Sequence, residues 1–491
     1  MTTVRSRRQR SAQPLHRSLG TAIFVASPLA VCGAAAADPA LPTIGSTVYN
    51  VTFANPSIDS GATASTGGTA AANAAVINAF ISYASANGGG TVEIPGSGTF
   101  VSNQITLNSN VNLQIDTGAT LQNGTPTSTF ITTSGTTHDI EISGGGAIDG
   151  HATTTSTNYM MSLQNIDKLW VRNVTIGNSS FYHFVPEADT NVTIDGVTIS
   201  DAYTISKKGT YLANTDGIDY SGSHFLIQNC TINDGDDDIV AKPGTGYCSD
   251  ITIRNCVIGA GHGISIGGQT NMSLNGMTVT NCTFNGTDNG FRFKAGRGNG
   301  GLVQNVSYSN CTMNNVNYPI YFSSYYSNGS NHWPTPGPAN ATNAAVNSTT
   351  PFWQNITFSN ITTTNTGYIG VMYGLPESPI EGIQFINCSL AGTTPFQINY
   401  AGYNGATYPI DNPAIVFLNS SINGTLLSDN SLLNNTSLFM PLPNGLYDAT
   451  VVFAVPEPAG VALAAGGLAG MALRRPRNRR KQTGSPPPAP A

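Results

Sequence analysis

The sequence predicts an all-β protein, a single-stranded parallel β-helix (a solenoid) closed at its N-terminal end by one capping helix. Three observations carry that expectation. Charged residues make up 9% of the 491-residue chain, against roughly 25% in ordinary soluble domains, and small polar residues fill the gap while 40% remain apolar. A short phrase recurs: VRNVTI, IQNCTI, IRNCVI, VTNCTF, YSNCTM, FSNITT, FINCSL and FLNSSI. Its asparagines from Asn229 onward fall at Asn255, Asn281, Asn310, Asn360, Asn387 and Asn419, spaced by 26, 26, 29, 50, 27 and 32 residues. A period in the twenties with variable insertions marks a solenoid. Each phrase alternates apolar and polar residues, the period of a strand and not of a helix. Such coils bury their faces only against their neighbours. Third, Cys230, Cys256, Cys282, Cys311 and Cys388 all directly follow the repeated asparagine. They are expected to form an internal ladder of small buried thiols beside stacked asparagines. Cys248 is out of phase, and no CxxC or Cys/His spacing marks a metal site.

In chain order, residues 1–37 read as a signal peptide. Arg5, Arg7, Arg8, Arg10 and Arg17 precede the apolar LGTAIFVASPLAV and the small residues GAAAA, the order an export signal requires. The segment TAAANAAVINAFISYASANG at 69–88 predicts the cap. Thr69 is its N-cap, Val76, Ile77, Phe80 and Ala84 share one face, and Asn87-Gly88 stops it before the strand GTVEIP. Residues 38–454 are expected to form a single β-helix domain. From 455 to 481, VPEP, fifteen residues AGVALAAGGLAGMAL and RRPRNRRK follow. That apolar run is short for a span of about 20 residues, and its arginines favour the cytoplasmic side. Residues 482–491 are expected to be a disordered tail.

Without its two ends, the body carries nine basic residues against 25 acidic ones. An acidic body of this kind is not built for nucleic acid, which needs a basic surface. Three of the nine bases lie in RFKAGR at 292–297, a positive spot suited to an anion.

The acidic residues concentrate too. NDGDDDIV holds Asp234, Asp236, Asp237 and Asp238, and like charges this close need a reason to be held together. NTDGIDY brings Asn214 and Asp216, GAGHGISIGG brings His262, and FRFK brings Arg292 and Lys294. Asp216, Asp236, His262 and Arg292 are 20, 26 and 30 residues apart, about one coil each, so they are expected on one face. Crowded carboxylates on one face suit glycoside hydrolysis by inversion. One carboxyl protonates the leaving oxygen, and another activates water from roughly 6.5–9.5 Å away. Repulsion keeps one of them protonated near neutrality. Asp234 and Asp238 are expected to be solvated neighbours.

NTDG, DGDD, GHG and RFK, in this order, resemble the polygalacturonases of glycoside hydrolase family 28, and the resemblance runs over roughly residues 48–430. It implies a right-handed β-helix and cofactor-independent, metal-independent inverting cleavage of α-1,4-linked galacturonate, so that the partner is a pectin-type polyanionic plant or algal polysaccharide. It also implies roles. Asp236 is the general acid, Asp216 and Asp237 activate water, and His262 holds the acid in its working protonation state. Arg292 and Lys294 grip the substrate carboxylate, with Asn214 and Tyr326 also binding substrate. Two departures stand out: Asp238 occupies a position where many members have cysteine, and FRFK replaces the commoner RIK. Residues 455–481 resemble the PEP-CTERM signal of Gram-negative bacteria, which implies signal peptidase and exosortase as processing partners and a cell-surface or secreted protein; the body is expected to be a monomer. A rhamnogalacturonan hydrolase or exo-acting enzyme, a pectate-lyase-like β-helix and a non-catalytic surface adhesin remain open alternatives.

Overall fold

Asparagine tolerates the left-handed region of backbone space better than other residues with a side chain, and the repeated phrase uses this to turn a corner. In the computed structural model, which describes residues 37–201, 214–326, 343–399, 415–440 and 451–454, each phrase spans two strands rather than one. Gly222–Gln228 runs into Asn229 and then Thr231–Asn233. Asn229, Asn255, Asn281, Asn310, Asn360, Asn387 and Asn419 all have φ between 48° and 57°. Their amides also bond along the stack, with Asn255 Nδ2 donating to Asn229 Oδ1 at 3.4 Å and Asn360 Nδ2 to Asn310 Oδ1 at 2.9 Å. Alanine at Asn281 loses the ladder bonds and keeps the left-handed strain. Asn281→Ala is therefore expected to cost about 1–2 kcal/mol, read as a lower urea midpoint, with Asn281→Gly recovering part of it.

Repeating that corner builds three long sheets of 14, 12 and 13 strands among the described residues. All ladder pairings are parallel except the last of the 13-strand sheet, Ser421–Ile422 with Thr425–Leu426. The fold is thus the predicted parallel β-helix. Each coil contributes one strand to each sheet, and the inward residues stack in files. Val279, Tyr308, Phe358, Phe385 and Phe417 lie in register, with ring centroids 5.4, 4.9 and 4.6 Å apart from Tyr308 to Phe417. Cys230, Cys256, Cys282, Cys311 and Cys388 are free and buried as expected, and Cys248 is also free and buried.

The helix Ala70–Ala86 closes the N-terminal end. Thr69 Oγ1 accepts from Ala72 N–H at 3.2 Å, and Val76, Ile77, Phe80, Ile81 and Ala84 are buried against the first coils. The compact unit begins at Asp38. The segments read as signal peptide, PEP-CTERM signal and tail lie outside the described residues, apart from Ala37. No helix among the described residues is long and apolar enough to cross a membrane.

Candidate active site

The site lies where strands of the 12-strand sheet begin. Met161, Phe184, Ile218, Ile239, Ile264 and Phe291 are in register on successive coils. Two residues before each come Tyr159, Tyr182, Asp216, Asp237, His262 and Asn289. Backbone bonds hold the turn segments to this order: His183 N–H donates to Asp216 O and Gly217 N–H to Asp237 O, both at 2.9 Å. The predicted one-coil spacing therefore holds for Asp216 and His262, with two adjustments. Asp237, not Asp236, falls in line with Asp216, and Asp236 sits one residue earlier on the turn, beside His262. Arg292 lies further along its strand, in a second file with Asp219, Val240 and Ser265.

The two central acids are held differently. Asp237 is 1% exposed. Its Oδ1 accepts from Arg292 Nη1 at 2.8 Å and Ser265 Oγ at 2.6 Å, and its Oδ2 meets Lys294 Nζ at 2.5 Å. Burial pushes this carboxyl up, but the Lys294 and Arg292 charges outweigh burial and hold it well below the usual range. Asp236 is more open, at 17% side-chain exposure. Its Oδ1 lies 2.9 Å from His262 Nδ1, and its Oδ2 accepts from Asn214 N–H at 2.7 Å. Burial raises Asp236, and the bond and charge of His262 bring it below the ordinary value.

Asp216 is buried at 2% exposure, with Oδ2 3.2 Å from Lys242 Nζ, which also meets Asp219 Oδ2 at 3.3 Å. Burial first, then the Asp219 charge, push Asp216 well up, and Lys242 only partly offsets them. Asp219 is raised to about 6, again by burial first. Behind this turn, His183 and Asp201 are fully buried. His183 Nε2 lies 3.0 Å from Asp201 Oδ2 and its Nδ1 3.1 Å from the Asp216 carbonyl. The ring of Tyr326 lies 5.2 Å from Lys294 Nζ and 6.0 Å from the Arg292 guanidinium.

One expectation is corrected. Asp234 and Asp238 are not solvated; both are 0% exposed. Asp234 Oδ1 accepts from Asp236 N–H at 3.0 Å and Asp238 Oδ2 from Gly263 N–H at 2.7 Å, so they shape the turns that carry Asp236 and His262. Burial first raises both carboxyls well above the usual range, helped by the Asp238 charge at Asp234 and by the Asp237 and Asp236 charges at Asp238. They also explain two motif glycines. A Cβ at Gly217 would lie 2.5 Å from Asp234 Oδ2, and one at Gly261, whose φ is +141°, would lie 2.5 Å from Asp238 Oδ2. Lys242, Asp219, Ser265, His183 and Asp201 were missed in the sequence; each is a single polar residue in a strand or turn with no spacing to mark it.

Asp236, Asp237 and His262 offer ligand atoms within 4.8 Å of one another, which invites a metal reading. The donor set does not fit one: both Asp237 oxygens already face Arg292 and Lys294, and a divalent cation there would meet two buried positive charges. The arrangement suits proton transfer instead. It has one ionised acid locked between cations, one more open acid hydrogen-bonded to histidine, and one buried acid held well above its ordinary value.

The chain is 28% identical over 349 residues to an endo-polygalacturonase of Pectobacterium carotovorum, covering 62% of this chain and 80% of that one. A polygalacturonase of Ralstonia solanacearum is 29% identical over 304 residues, 47% of this chain and 58% of that one. In fold, the chain resembles an exopolygalacturonase from Thermotoga maritima (TM-score 0.59, 16% identity, 79% and 94% covered). It also resembles a polygalacturonase from Erwinia carotovora (TM-score 0.53, 23% identity, 84% and 98% covered). The model of glycosyl hydrolases family 28 matches residues 85–404. With well over half its length matched and the acids, histidine and cations of its motifs gathered at one place, the chain belongs to glycosyl hydrolases family 28.

Proposed function

We propose that the protein is an exported hydrolase that cleaves α-1,4-galacturonosyl linkages of pectin or polygalacturonate with inversion. The observation that carries this reading is the grouping of Asp236, Asp237 and His262 within 4.8 Å, one coil from Asp216 and backed by Arg292 and Lys294. Asp236 is the general acid. His262 Nδ1, 2.9 Å from Asp236 Oδ1, orients that carboxyl. A substrate carboxylate drawn to the Arg292–Lys294–Tyr326 corner adds negative charge, which raises Asp236 and favours its protonated, acid form. Asp237 and Asp216 then activate water, with Lys242 supplying the positive charge that lets Asp216 ionise despite its burial.

The endo-polygalacturonase relatives favour homogalacturonan cut within the chain. The same reading keeps residues 1–37 as the export signal and 455–481 as an exosortase-processed anchor, with the mature protein a monomer at the cell surface or released from it.

The test is chemical. Purified protein given polygalacturonate should release reducing ends with no rise in ultraviolet absorbance from unsaturated sugars, and proton NMR should show the β-anomer as first product. Unsaturated product would make the protein a lyase, and a first-formed α-anomer would replace inversion with a retaining route. Inertness toward every pectic polymer would overturn the reading.

A further inference from the structure

The file of residues that carries Asp216, Asp237 and His262 does not begin with an acid. One coil before Asp216 stands Tyr182, and one coil before that Tyr159, in the same register position; Met160 N–H donates to Tyr182 O at 2.9 Å, which fixes the two levels. Phe181 joins them. The Phe181 and Tyr182 rings are 4.4 Å apart with planes 1° from parallel, and Tyr159 lies 5.3 Å from Tyr182 and 5.8 Å from Phe181, 14° off each. All three are only half-buried. Stacked coils are about 4.8 Å apart, so the ledge extends one and two coils beyond the acids, the scale of one and two sugar units. None of the three belongs to the proton-transfer machinery, and flat half-exposed rings beside a glycosidase site offer the apolar face that a pyranose covers.

The charge around the ledge is unlike that at the other end of the site. Glu187, which accepts from Gln164 Nε2 at 2.8 Å, and Asp219 act on Tyr159, while Asp216, Asp219 and Asp236 act on Tyr182. Among the described residues the cation in reach is Lys242, 5.3 Å from the Tyr182 ring with its ammonium between Asp216 and Asp219. Against these described groups, a free sugar carboxylate placed here would face net negative charge.

Building on the function proposed above, we propose that Tyr159, Phe181 and Tyr182 form a glycan subsite that takes an uncharged pyranose, either a methyl-esterified galacturonate or a neutral sugar. The enzyme then reads charge at the Arg292–Lys294 end and ring shape at the Tyr159–Tyr182 end, and so works on partly esterified polymer.

The experiment measures kcat/KM on polygalacturonate and on half-esterified pectin for wild type, Phe181→Ala, Tyr159→Ala and Glu187→Gln. In parallel, calorimetry measures binding of methyl-esterified hexagalacturonate, and of a neutral rhamnose-containing oligosaccharide, to Asp236→Asn protein. The two ring variants should lower the esterified-to-free ratio about five- to tenfold, the size of one lost stacking contact, and weaken the esterified hexamer by a similar factor. Glu187→Gln should lower the ratio as well, but by raising kcat/KM on the free acid and leaving that on the ester unchanged. Tighter binding of the neutral oligosaccharide than of the ester would identify a neutral sugar as occupant, and the reverse would identify the ester. An unchanged ratio, or equal losses on both polymers, would overturn the subsite while leaving the hydrolase reading in place. A wild type inert on both polymers would overturn the hydrolase reading, and the calorimetric comparison would then decide the ledge alone.

Discussion

Asp236→Asn is expected to lower kcat on polygalacturonate by about 10²–10⁴-fold, the range a positioned acid contributes, while the protein stays folded. Asparagine fits the same space and can still accept from Asn214 N–H, and the side chain is among the more open of the site's acids. Lost activity with an unchanged unfolding midpoint would therefore assign the loss to proton transfer. The pH profile adds a second readout. Asp216 is raised well above its ordinary value, so the ascending limb, where it ionises, should lie above the ordinary aspartate value of about 3.9. The descending limb should mark loss of the Asp236 proton in the substrate complex. In the variant this limb should vanish. A variant that keeps both limbs and most of its activity would remove Asp236 from the acid role.

The sequence made the architecture legible because one local rule is repeated many times. Asn229 and its six later counterparts turn the same corner with the same left-handed backbone, and the residue after each, cysteine in five of the seven, packs in the same buried place. The pairing of Arg292 with Lys294 on one face was legible too, since residues two apart on a strand point the same way. Within NDGDDDIV no such rule operates. The four aspartates sit in a turn whose side-chain directions are set by bonds to other coils, so Asp234 and Asp238 point inward as buried supports while Asp236 opens toward His262. Nothing in the spacing of Lys242, Ser265 or His183 marks them, because each owes its position to coils 26 to 33 residues away in the chain. Charge count alone suggested that Arg292 and Lys294 serve the substrate. Their contacts add that they first hold Asp237 in place and in its ionised form.

Asp237→Asn should therefore behave unlike Asp236→Asn and destabilise the fold by about 3–5 kcal/mol, the cost of leaving buried charge without its partner. Arg292 and Lys294 each keep 4% side-chain exposure and share this one carboxylate. An asparagine would offer one oxygen to two cations and turn an amide donor toward the other. The pH dependence of the loss follows from the sign of the shift. Asp237 is held well below its ordinary value, so its contribution is fully present above about 3.9 and disappears as pH falls through its lower folded value. The urea midpoints of wild type and Asp237→Asn should thus differ most near neutrality and converge in acid. Replacing Lys294 by methionine in the same background should recover part of the loss, because it removes one of the two stranded cations. If Asp237→Asn were as stable as wild type at neutral pH, the carboxylate would not be what neutralises this corner, and the ionised state assigned to it during catalysis would lose its structural cause.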